Sequence, residues 1–102
     1  MMFTLIVPKN EEGIINCETG RDDSGNESFY TLSKEEYNIL RKNKVFDILN
    51  DKFDLWIDEG ETEKVTSEQL KKAYNAITPV KGEWTKAVDE AIRAKTFLCL
   101  VF

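Results

Sequence analysis

The chain has 102 residues, 14 of them Lys or Arg and 19 Asp or Glu, giving a formal net charge of −5, and it contains no histidine. With 41% hydrophobic and 32% charged residues, its composition is that of one globular domain over residues 1–102, able to bury a modest core without metal or disulfide staples. The missing imidazole excludes Ser-His-Asp and Cys-His catalysis and His-ligated zinc, and the acidic balance argues against nucleic acid as a partner, since phosphates are bound by Lys and Arg.

Residues 2–7 are large and β-branched and stop at Pro8, which predicts a first strand. The same residues are not expected to act as a secretory leader, because they show no basic n-region and the apolar run stops at Pro8, with Lys9 and Glu11-Glu12 following. No window approaches the roughly 20 apolar residues of a membrane span, so no membrane association is expected. Lys9 to Gly13 reads as a turn and Ile14 to Glu18 as a second strand, closing a hairpin over 2–18. Thr19 to Ser28 has no large apolar residue and reads as a solvated loop, with Phe29-Tyr30-Thr31 briefly extended after it.

Ser33 and Glu36 fit a capping box, and Leu32 and Tyr37 fit a hydrophobic staple, so a helix is predicted from Lys34 to about Asn43. Val45, Phe46, Ile48 and Leu49 predict a second short helix through Asn50. Phe53 to Asp58 alternates: Phe53, Leu55 and Ile57 share one strand face, Asp54, Trp56 and Asp58 the other. Glu59 to Glu63 then reads as a turn. Thr66 or Ser67 caps a helix carrying Leu70, Ala73, Tyr74 and Ile77, and Pro79 is placed to begin the next. Trp84, Ala87, Val88, Ala91 and Ile92 form its apolar stripe. The unbroken apolar run Phe97 to Phe102 predicts a strand covered on both faces and a buried C-terminal end. The expected fold is α+β: a two-layer domain with a mixed or antiparallel sheet of about four strands, the C-terminal strand central, packed by three to four helices in the order β-β-α-α-β-α-α-β.

Few chemistries survive. The glycines are scattered, and no phosphate loop is present. Around Arg21 to Asn26, placing Gly25 at position six of a calcium loop puts Thr31 at position twelve, where a carboxylate is required. Cys17 and Cys99 are too distant in sequence for a Cys-x-x-Cys motif and read as free thiols on strands in a reducing cytoplasm. On a strand, Asp54 and Asp58 stand roughly 13 Å apart, beyond the about 5–9.5 Å of glycosidase pairs. No enzyme, cofactor or metal is expected.

What stands out is a surface. Residues 54–63 carry Asp54, Asp58, Glu59, Glu61 and Glu63 around Trp56, with no basic residue among them. An exposed aromatic rimmed by charge suits a partner-binding hot spot. The same pattern also suits a covered tryptophan beside carboxylates that keep a sheet edge soluble. Charge is polarised: residues 1–33 hold two basic against six acidic groups, 34–63 five against nine, and 64–102 seven against four. An acidic face steers a basic protein partner; the basic last third reads as two amphipathic helices with Lys71, Lys72, Lys81 and Lys86 solvated, with docking on the acidic part of a second copy, as a homodimer, the alternative. In being small, acidic and without catalytic machinery, the chain resembles in kind the bacterial immunity proteins that neutralise nuclease toxins. That resemblance implies a cytoplasmic, stoichiometric inhibitor. The competing expectation is a self-associating accessory module of a larger complex.

Overall fold

The computed structural model describes residues 3–21, 25–79 and 81–102. Among them run β1 (Phe3–Pro8), α1 (Glu11–Glu18), β2 (Glu27–Leu32), α2 (Lys34–Lys42), α3 (Val45–Phe53), β3 (Thr62–Thr66), α4 (Ser67–Ile77), α5 (Glu83–Ala94) and β4 (Phe97–Val101). The strands form one antiparallel sheet in the order β2-β1-β4-β3. The α+β class and the central C-terminal strand are as the sequence predicts, with no parallel pair and with five helices among the described residues.

Two elements differ from expectation. Ile14 to Glu18 is helical, and no hairpin spans 2–18. The Asn10 side chain accepts from Gly13 N at 3.0 Å, capping α1, and Glu11 and Glu12 lie in its first turn, where the helix dipole favours them. Cys17 therefore sits on a helix. The third strand is Thr62–Thr66, not Phe53 to Asp58. Phe53 ends α3, and Asp54 in the left-handed conformation (φ 56°) turns the chain. Smaller shifts follow. β2 begins at Glu27, inside the expected loop, and residues 22–24 of the calcium-like stretch lie outside the described residues. α5 begins at Glu83 after the N-cap Gly82, so Pro79 precedes the helix by several residues.

Helices α2 to α5 cover one sheet face. Phe3, Leu5 and Val7 of β1, Leu98 and Leu100 of β4 and Val65 of β3 point into that layer and are buried. The aromatics interlock there. Phe3 stacks on Tyr37 at 3.8 Å between centroids, and Phe102 meets Phe3, Tyr37 and Phe46 edge-on at 5.6, 5.4 and 5.3 Å. Trp84 is fully buried against Phe46, and its indole Nε1 donates to Ile77 O at 2.8 Å.

Capping links distant helices. Ser33 Oγ accepts from Glu36 N at 3.0 Å, the first half of the expected box. Glu36 does not return the bond. Its carboxylate instead accepts from Trp84 N at 2.8 Å and Glu83 N at 3.3 Å, so it caps α5, whose own N-cap Gly82 has no side chain. The full reciprocal box occurs on α4, between Thr66 and Gln69.

The opposite sheet face is only partly covered. Register lines up Phe29, Ile6, Cys99 and Lys64 in one row and Thr31, Thr4, Val101 and Thr62 in the next. α1 lies over the Cys99 end of the first row, and Phe29 and Val101 remain exposed. α1 approaches so closely that a Cβ on Gly13 would collide with the Asn26 carbonyl and lie 3.2 Å from Pro8 Cα. Gly13→Ala should therefore destabilise the chain by about 1–3 kcal/mol by overpacking, despite the about 1 kcal/mol that Ala gains over Gly in a helix. Urea denaturation decides the sign.

Candidate functional site

The acidic stretch 54–63 is a loop that leads into an edge strand. Asp54 closes α3, with Leu55 N donating to Asn50 O at 3.1 Å. Asn50 then holds the loop by both ends of its amide: Oδ1 accepts from Ile57 N at 2.8 Å, and Nδ2 donates to Ile57 O at 3.1 Å. Ile57 is buried by this arrangement. Trp56, next to it, points the other way and is 78% exposed.

Further bonds fix the rest. Trp56 N donates to Glu63 Oε2 at 3.0 Å, and Lys64 N to Glu63 Oε1 at 3.0 Å. Glu59 N donates to Asp58 Oδ1 at 2.8 Å, and Glu61 N to Asp58 O at 3.2 Å, across a turn with Gly60 at φ 82°. Phe102 N donates to Glu61 O at 3.1 Å, tying the turn to the last described residue. Trp56 is thus an exposed indole on a well-bonded backbone.

The predicted residues divide by role. Trp56, Asp58 and Glu61 come together along one depression of about 280 Å³ with Asn50 and Ile57. Glu59 turns away to an ion pair with Arg41 at 3.7 Å. Glu63 is half-buried and serves the loop's backbone. Asp54 is exposed at the end of α3 and lines neither depression. The strand face expected to group Asp54, Trp56 and Asp58 does not exist; the loop exposes all three without it.

A second depression, of about 290 Å³, adjoins the first and shares Asn50, Ile57 and Asp58 with it. Its other walls include Tyr37, Arg41, Lys44 and Asp47. Burial pushes the Tyr37 phenol above its ordinary range, and the adjacent Arg41 partly offsets this. Arg41, Lys44, Asp47 and Asn50 were not picked out by sequence. Asn50 is one of four polar residues on α3, with Asp47, Asp51 and Lys52, and nothing in the sequence joined any of this group to Trp56.

Among the described residues no group of three or more Cys, Asp or Glu side chains is placed to hold a metal ion, and no helix is long and apolar enough to cross a membrane. No family model matches the sequence, and neither a curated protein nor a solved structure shows significant similarity to it.

Proposed function

We propose that the chain is a small acidic binding protein that covers a basic protein partner with the 54–63 loop, as a cytoplasmic immunity protein covers a nuclease toxin. The observation that carries the reading is Trp56, exposed on a backbone bonded at Trp56, Ile57, Glu59 and Glu61. Burying that indole supplies contact energy. Asp58 and Glu61 beside it and Asp54 nearby supply attraction to Lys and Arg.

A second reading has its own observation. Phe29 and Val101 on the uncovered sheet face, and Ile15 on α1, are exposed apolar residues of the kind a second copy would cover. One set of measurements separates the two. The chain should sediment as a monomer alone and form a 1:1 complex with a basic protein encoded beside it. The association rate should fall about tenfold or more between low and high salt. A salt-independent rate would overturn steering by the loop, and a dimer without partner would favour the self-associating module.

A further inference from the structure

We propose that Cys17 and Cys99 form a reversible intramolecular disulfide, a modification site that ties α1 to the central strand β4. The two cysteines lie far apart in the sequence, yet the fold brings both to the wall of one depression. Cys99 belongs to the sheet face that α1 crosses, in register with Ile6 and Lys64. Cys17 is in the last turn of α1, directly before Glu18, which is paired with Lys64 at 3.6 Å. Both thiols line one open depression of about 430 Å³ with Glu18, Thr62, Glu63 and Lys64. Cys99 is buried and Cys17 is half-exposed. A reagent in the depression therefore meets Cys17 first, with Cys99 behind it.

That order fits a two-step exchange with a low-molecular-weight disulfide such as oxidised glutathione as oxidant. Cys17 loses its proton to solvent, and its thiolate attacks one sulfur of the oxidant. The oxidant's S–S bond breaks, one small thiolate leaves, and a mixed disulfide remains on Cys17. Cys99 then loses its proton and attacks the Cys17 sulfur, expelling the second small thiolate. The two protein thiols are oxidised by two electrons, the oxidant is reduced to two thiols, and the two released protons balance the two leaving thiolates. Closing the link brings the two sulfurs to the about 2.05 Å of a disulfide bond across that shared depression. The reaction is slow at neutral pH: burial raises the Cys17 thiol and pushes Cys99 up to about 12, so little thiolate is present.

The test incubates the intact chain with oxidised glutathione at about pH 8.5, checks by circular dichroism that it stays folded, and then alkylates and weighs it. The expected product is a monomer lighter by two hydrogens, closed to alkylation, with peptides containing Cys17 and Cys99 linked. Its melting temperature should rise by about 10 °C, because a long loop has been closed, and should return on reduction. Cys17→Ser leaves the buried strand residue in place and should form no internal link. A glutathione adduct that persists on Cys17, a disulfide-linked dimer, or two thiols still open to alkylation in the folded chain would each overturn the proposal.

Discussion

Trp84→Ala is expected to cost about 3–5 kcal/mol, the range for truncating a large buried aromatic. A domain of this size has about 5–15 kcal/mol in total. The variant should lose a large share of that or fail to fold. Two costs combine. The indole fills the space between α5, Phe46 and the end of α4, and its loss leaves a cavity the helices cannot fully close. It also strands the Ile77 carbonyl, which then lies buried without the 2.8 Å bond from Nε1. Trp84→Phe separates the two, keeping most of the volume but removing the donor, and should cost about 1–3 kcal/mol. Urea melts followed by circular dichroism give both values. Equal costs for the two variants would show that the hydrogen bond, not the volume, dominates.

The largest effect on binding is expected from Trp56→Ala combined with Glu61→Lys. Truncating an exposed tryptophan that anchors an interface costs about 2 kcal/mol or more, roughly 30-fold in affinity, and should appear mainly as faster dissociation. Reversing Glu61, on the same depression as Trp56, should slow association and flatten its salt dependence. Neither side chain has a hydrogen-bonding role in holding the loop, because Trp56 and Glu61 take part through their backbones. Stability should then change by no more than about 0.5 kcal/mol. A doubly substituted chain that melts normally and binds normally would remove the 54–63 loop from the interface.

Four helices were legible because their signals were local. Ser33, the spacing of Val45, Phe46, Ile48 and Leu49, Thr66, and the stripe from Trp84 to Ile92 each specify a cap or a period without help from the rest of the chain. α1 was not legible, because what it buries is Gly13 and Asn16 rather than an apolar stripe. β3 was hidden for the opposite reason. As an edge strand it buries Val65 and carries Thr62, Glu63 and Lys64, which blunt the edge, and its first two residues fall in the expected turn Glu59 to Glu63. Residues 53–58 show the two levels coming apart. Phe53, Leu55 and Ile57 do turn inward while Asp54, Trp56 and Asp58 face solvent, yet the backbone is a helix end and a loop. Alternation reports which side chains face the core and leaves backbone conformation open. Glu36 fails differently: its spacing from Ser33 suits a local cap, but a second helix start lies within reach and takes the carboxylate. The side on which Trp56 lies was therefore readable, but not whether another element would cover it, and Asn50's hold on Ile57 depends on the left-handed turn at Asp54 and becomes visible only in three dimensions.

The strand order β2-β1-β4-β3 also sets the tempo of folding. Thr4 aligns with Val101 and Ile6 with Cys99, so the centre of the sheet cannot zip until the two ends of the sequence have met. The helices between them can flicker into place in about a microsecond, but closing so long a loop is an entropic debt settled only by that final pairing. Refolding is then expected in milliseconds or slower, with a rate-limiting step in which β1 and β4 are already joined. Until they join, the uncovered edges of both strands stay open to neighbouring chains, and refolding yield should fall as protein concentration rises.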